Sequence, residues 1–130
     1  MSMFKHLYIV KVTGPEWINA NDHRYKHWGP RHGLAQQWRI NAGWAAKSAG
    51  LPPMKGRVSI AAVILFPDRR RRDAANWYPT VKACIDGLRD AGVLVDDDDR
   101  HVSGVGLTSR VEPGIRRRTV ELHLSPEEQS

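Results

Sequence analysis

An apolar run, Val58–Phe66, is the feature that most constrains the fold of this chain. Its length and its end at Pro67 predict a strand. Because the run is almost continuously apolar, it is typical of a strand buried on both faces of a sheet. The residues after Pro67 then leave the end of that strand. In open sheets with helices on their faces, binding sites usually lie along this edge.

The next predicted element is an amphipathic helix over residues 79–91. Pro79 suits the first helical turn, where its missing N–H needs no partner, and Gly92 suits the C-terminal cap. Four apolar side chains have the three- and four-residue spacing of a buried stripe: Val81, Cys84, Ile85 and Leu88. The single cysteine is therefore expected to be a core residue and not a catalytic thiol.

The remaining periodicity predicts one domain spanning residues 1–130, because a chain of 130 residues usually forms one. We expect a loop over 16–33, a helix over 34–49 and a polar, frayed tail over 125–130. The other predicted strands are 7–12, 102–111 and 116–124. The order β-α-β-α-β-β predicts an α/β fold with a mixed β-sheet, two main helices and a terminal hairpin around Glu112-Pro113-Gly114.

The chemistry of the chain is concentrated between residues 69 and 99. Arginines precede Asp73, and four consecutive aspartates, Asp96 to Asp99, follow the predicted helix. Crowded carboxylates make each other costly to ionise, and a cation such as magnesium relieves that cost. Guanidinium groups pair with phosphate through two donors. The net charge of +6, with a second basic cluster at 116–118, also favours a nucleic-acid partner.

Several of these residues follow one pattern: D-x-D-N, a lysine, an aspartate in D-[AG]-L four residues later, then a glycine, a short apolar run and D-D. This pattern resembles the core of the RusA-type Holliday-junction resolvase family. Ala75 stands where that family usually has its second aspartate, and extra residues around 77–79 separate Asn76 from Lys82. The matching positions are Asp73, Asn76, Lys82, Asp86, Gly87, Leu88, Gly92, 93–95, Asp96 and Asp97.

The resemblance implies a magnesium-dependent, structure-selective endodeoxyribonuclease that nicks Holliday junctions or other branched DNA as a homodimer. The implied catalytic residues are Asp73, Lys82 and Asp97, with Mg²⁺ held by Asp73 and Asp97 and also by Asp96 or Asp86. Mn²⁺ is a possible substitute. The metal would polarise the phosphate and lower the pKa of a bound water, while Lys82 would stabilise the developing charge.

Nucleic-acid contacts are expected from two segments. The first comprises Arg69, Arg70, Arg71, Arg72 and Asn76. The second is the predicted loop 16–33, with Asn21, Arg24 and Lys26; RusA-like proteins often carry a similar segment near their start. That loop has an alternative interpretation as an asparagine-rich turn whose aromatic residues pack on the domain.

Each candidate also has a plain structural interpretation. Asp73 could be a turn residue or an ion-pair partner, and Lys82 could simply pair with Asp86 on the helix surface. Asp98 and Asp99 are expected to be solvated loop residues. Because the methyl group of Ala75 cannot bind a metal, a non-catalytic basic protein that recognises branched DNA is the rival function. A structural interaction module would explain the charge but not the aspartates at both ends of the helix.

The expected location is cytoplasmic. No apolar run reaches the length of a membrane span, so no membrane partner is expected. The first residues lack the pattern of a signal peptide, and the single cysteine allows no intrachain disulfide. A phage or prophage origin is compatible with the resemblance.

Overall fold

The computed structural model describes residues 7–20, 28–96, 98 and 100–127. The predicted order β-α-β-α-β-β is confirmed, as is a single α/β domain with one mixed sheet. A 3₁₀ turn, Ala74–Trp77, leads into the second helix. The elements are β1 (Tyr8–Gly14), α1 (Trp28–Ser48), β2 (Val58–Phe66), α2 (Tyr78–Asp90), β3 (Val102–Val111) and β4 (Arg118–Pro126).

The four strands lie in the order β1-β4-β2-β3. β4 is antiparallel to both β1 and β2, whereas β2 and β3 are parallel. The predicted terminal hairpin is therefore wrong, because β3 and β4 lie on opposite sides of β2. The chain turns across the end of β2, where the Glu112 N–H donates to the Phe66 carbonyl at 2.8 Å. β4 is a central strand, and Val120 and Leu122 on its inner face are fully buried.

One hydrophobic core joins both helices to one face of the sheet. In α1, Trp38, Ala42 and Ala46 recur every four residues and are fully buried. The predicted stripe of α2 is confirmed, since its four side chains are all buried. The expectation that β2 is buried on both faces is wrong for its first half, because Ser59 and Ala61 are exposed on the other face. None of the helices in the described ranges is long and apolar enough to cross a membrane.

The larger differences from the predicted element boundaries lie at α1, β1 and β4. α1 begins at Trp28, inside the predicted loop. Pro30 is compatible with this start, because the N–H groups of a first helical turn have no helical partner. β1 continues to Gly14. β4 runs to Pro126 and so includes the start of the predicted tail, and the Glu127 N–H donates to the Arg57 carbonyl at 2.8 Å.

The end of α2 agrees with its predicted cap. Gly92 has φ of +80°, a left-handed conformation that favours glycine, and the Val93 N–H donates to the Leu88 carbonyl at 3.0 Å. The helix also packs very closely on α1. A Cβ atom on Gly87 would lie 2.2 Å from the Arg39 carbonyl oxygen. The close packing of the two helices therefore requires glycine at position 87.

The path of α2 decides where the candidate residues lie. Because β2 and β3 are parallel, α2 carries the chain from the Phe66 end of the sheet back to the Val58 end. The segment 67–77 lies at the first end. The segment before β3 lies at the second, where the Val58 N–H donates to the His101 carbonyl at 2.8 Å.

Candidate functional site

Asp68 organises the arginine segment at the end of β2. It accepts hydrogen bonds from the Arg70 N–H at 3.0 Å and from Arg72 Nη2 at 2.7 Å. The bond from the Arg70 backbone, followed by the bond from Arg72, lowers the pKa of the Asp68 carboxyl. The Arg72 guanidinium also lies 4.0 Å from the centre of the Phe66 ring. Arg72 is therefore held inward, whereas Arg69 and Arg71 are exposed.

A half-open cleft of about 410 Å³ lies beside this segment. Its walls are aromatic and aliphatic, and its charged lining residues are all arginines. They come from two parts of the chain, the segment after β2 and the segment before β4. The cleft therefore combines a strongly positive rim with ring surfaces. Its aromatic residues are Trp17, Phe66 and Trp77, and its arginines are Arg70, Arg72, Arg116, Arg117 and Arg118.

The chain after β1 is fixed in place by a buried threonine. The Thr80 hydroxyl accepts from the Ile18 N–H at 2.8 Å and donates to the Ile18 carbonyl at 3.0 Å. Next to this pair, Trp17 stacks on Trp38 with ring centres 5.6 Å apart and planes at 11°. These contacts make Trp17 a rigid wall of the cleft.

The second indole wall, Trp77, has an unsatisfied donor. Its ring meets Phe66 edge-on, with centres 5.2 Å apart. Its Nε1 atom is buried, and no described residue accepts a hydrogen bond from it. An unpaired buried donor costs about 1–3 kcal/mol. Because this atom is buried, another molecule in the cleft could accept from it only if the Trp77 ring shifts.

Asp73 lies next to the cleft, directly after Arg72. Its side chain is exposed and accepts from the Ala75 N–H at 3.1 Å, which caps the 3₁₀ turn. The turn-residue role is therefore present in the structure. Ala75 is exposed as well. Asn76 lies in the same turn, and its carbonyl accepts from the Ala20 N–H at 2.8 Å.

Lys82 and Asp86 form an ion pair on α2, with Nζ and Oδ1 2.8 Å apart. They line a smaller cavity of about 240 Å³ with Gln36 and Arg39 of α1. This cavity is separate from the arginine cleft, and the two share no lining residue. Asp86 therefore tethers Lys82. This is one of the two roles expected for Asp86, the other being to bind the metal.

The aspartates before β3 lie at the other end of α2. Asp96 is 3.8 Å from Arg89 in the last helical turn. Asp98 accepts from His101 Nδ1 at 2.7 Å and from the Arg100 N–H at 3.0 Å. The bond from His101, followed by those from Arg100, lowers the pKa of Asp98. Asp98 lies in a loop and is partly exposed, and its hydrogen bonds hold the turn that leads into β3.

The candidate metal ligands that the structure describes, Asp73, Asp86 and Asp96, do not form one group. Asp73 precedes α2 and Asp96 follows it, and a helix of 13 residues is about 20 Å long. Among the described residues, no three histidine, cysteine, aspartate or glutamate side chains form a group that could hold a metal ion. Asp97 and Asp99 lie outside the described residues, as do the predicted DNA contacts Asn21, Arg24 and Lys26.

Sequence reasoning did not assign Trp17, Trp77 or the second arginine segment to a site. The cluster at 116–118 was a visible signal, but its proximity to the arginines after β2 depends on β4 pairing with β2. Comparison with known sequences adds no further assignment: no family model matches the chain, and no curated protein shows significant similarity to it.

Proposed function

We propose that this protein is a magnesium-dependent, structure-selective endodeoxyribonuclease that nicks Holliday junctions or other branched DNA. The observation that supports this most is the arginine cleft. Its five arginines come from two segments and lie at the same end of the sheet as Asp73. Guanidinium groups in such a cluster bind the phosphate backbone, and a neighbouring carboxylate can hold a metal at the same backbone.

The charge on the described surface supports a DNA partner, whether or not the protein cleaves the DNA. Arg69 and Arg71 are exposed, and the side chain of Arg70 is 82% exposed. Exposed arginines can reach phosphates without breaking a buried contact. Binding at this end would place the DNA backbone beside the exposed carboxylate of Asp73.

We infer that Asp73 and Asp97 share one ion by contributions from two copies of the chain. Asp73 lies before α2 and Asp96 lies beyond its other end, and a helix of 13 residues is about 20 Å long. In a two-fold dimer, Asp73 of one copy can lie beside the aspartates of the other, and symmetry creates two such sites. Two symmetric sites suit paired nicks in a four-way junction. When bound, magnesium would activate water and stabilise the charged phosphate.

The second candidate function is a non-catalytic protein that binds branched DNA. It is favoured by the separation of the described carboxylates and by the methyl group of Ala75 at an expected ligand position. This protein would use the same arginines for phosphate binding. The two functions therefore differ in cleavage and not in affinity.

A metal titration separates these two functions. Nicking of a synthetic four-way junction is measured against magnesium and manganese concentration for the natural protein and for Ala75→Asp. We expect the natural protein to nick only at a high magnesium concentration, because a site with fewer carboxylates binds the ion more weakly. Manganese should support nicking at a lower concentration, since it generally binds such ligands more tightly. Ala75→Asp should lower the metal concentration required.

The matched control is Ala75→Asn, because asparagine is close in size to aspartate but adds no charge. It should leave the metal requirement close to that of the natural protein. If the natural protein binds the junction but does not nick it at any concentration of either metal, the non-catalytic function is correct.

A further inference from the structure

We propose that the arginine cleft takes one unpaired nucleotide of branched DNA, with its base against the indole walls and its phosphates on the arginines. This inference rests on the proposed function, since it specifies which part of the DNA the same site recognises. An unpaired nucleotide occurs where strands exchange or where a base pair opens. A continuous duplex has no such group to offer.

The size of the cleft suits one nucleotide. Its volume of about 410 Å³ lies in the range of clefts that bury small molecules. A double helix is too wide to enter, so its phosphates could reach only the rim. The ring surfaces of Trp17 and Trp77 would then have no function in duplex binding.

The walls suit a base in particular. Bases stack on aromatic side chains with little sequence preference, because every base has a π-face. In duplex DNA those faces are covered by neighbouring bases, so only a displaced base can use the indoles. A base also has ring nitrogens and carbonyl oxygens, which could accept from the buried Trp77 N–H after a shift of the ring, since this N–H has no acceptor among the described residues.

The arginines differ in how free they are to bind phosphate. Arg72 is paired with Asp68 at 2.7 Å, and Arg118 donates to the Pro15 carbonyl at 2.8 Å. Arg116 and Arg117 are exposed, and no carboxylate of the described residues lies within 4.0 Å of either. These two guanidinium groups are therefore assigned to the phosphates of the bound nucleotide.

The test compares two DNA duplexes without metal, so that no cleavage occurs. One has a single unpaired thymidine, and the other has an abasic analogue at that position, with the same backbone charge. We expect the natural protein to bind the thymidine duplex roughly 5- to 100-fold more tightly, as one stacked base would give. Equal affinity for the two duplexes would overturn the proposal.

Three variants locate the effect. Trp77→Leu should remove the preference for thymidine while leaving affinity for the abasic duplex unchanged. Trp44→Leu is the matched control, because this tryptophan lies on α1 away from the cleft and is 66% exposed. It should keep the full preference. The double variant Arg116→Ala and Arg117→Ala should weaken binding to both duplexes. It should not affect folding, since both residues are exposed.

The outcomes separate the cleft from the catalytic proposal. If the base preference is present but the protein never nicks a junction, the cleft stands and the nuclease function fails. If the protein nicks junctions but has no base preference, the nuclease function stands and the cleft proposal fails. An equal loss of preference in Trp44→Leu and Trp77→Leu would also overturn the cleft, because the effect would not be local.

Discussion

Thr80 shows how a single buried hydroxyl positions the cleft. Its two hydrogen bonds satisfy both backbone groups of Ile18, which is 1% exposed. Thr80→Val keeps the shape but removes both bonds and leaves two buried backbone groups unpaired. We expect a loss of about 1–3 kcal/mol in the free energy of unfolding, measured by denaturant titration. Thr108→Val, at an exposed position of β3, should change it little, and an equal loss in both variants would contradict this role.

Glu121 is a buried carboxylate on the sheet face opposite Val120 and Leu122. It is 5% exposed, and it accepts from Arg110 Nη2 at 3.0 Å and from His123 Nε2 at 2.7 Å. Burial alone would raise the pKa of its carboxyl. The hydrogen bonds from Arg110 and His123 outweigh burial and hold that pKa below its ordinary value of 4.5.

This lowered pKa predicts how stability depends on pH. Because the folded pKa lies below the unfolded one, the contribution of Glu121 is present above pH 4.5 and is lost as the pH falls through the folded pKa. Glu121→Gln should cost about 1–3 kcal/mol at neutral pH. It should also flatten the fall in stability below pH 4.5, by up to about 1.4 kcal/mol per pH unit.

The matched control for that profile is Glu112→Gln. Glu112 approaches the same arginine, but only to 3.8 Å, and its side chain is 41% exposed. Its substitution should leave the acid slope of the unfolding free energy nearly unchanged. If Glu121→Gln and the natural protein have the same slope, the hydrogen bonds of Glu121 do not lower its pKa as argued.

At the scale of elements, the contact between α1 and α2 depends on Gly87. Gly87→Ala gains helix propensity worth about 1 kcal/mol, but its methyl group would meet the backbone of Arg39. We expect a net loss of about 1–3 kcal/mol in thermal or denaturant unfolding. Gly43→Ala on α1 is the control, because its Cβ would lie 3.5 Å from the nearest atom, an ordinary contact. That variant should be as stable as the natural protein or more so, and the same result for Gly87→Ala would contradict the close packing.

The elements that were predicted correctly have local signals. Pro67 marks the end of β2, and Gly92 marks the end of α2 through its left-handed backbone. The start of α1 was missed because a segment rich in Asn, His, Gly and Pro resembles a loop, although Pro30 fits a first helical turn. The hairpin was wrong because strand pairing is not local. The position of β4 between β1 and β2 depends on backbone pairing between residues far apart in the sequence.

At the scale of the whole molecule, the sequence predicted which residue types form a site but not where they meet. The arginines after β2 and the described aspartates after α2, Asp96 and Asp98, are close in sequence and lie at opposite ends of the sheet. The arginines at 116–118 are far from the first segment in sequence and line the same cleft. Both facts follow from the order of the strands, which periodicity does not determine.

The proposed function leads to the central claim, that Asp73 and Asp97 act on one metal ion from two copies of the chain. Asp73→Asn and Asp97→Asn should each abolish nicking of a four-way junction in magnesium. In a mixed dimer of the two variants, one site keeps both aspartates and the other keeps neither. An equimolar mixture whose subunits have exchanged should then recover nicking, up to about a quarter of the natural activity, because half of the dimers are mixed and each has one intact site. No recovery in mixed dimers, with full nicking by the natural protein, would contradict the claim.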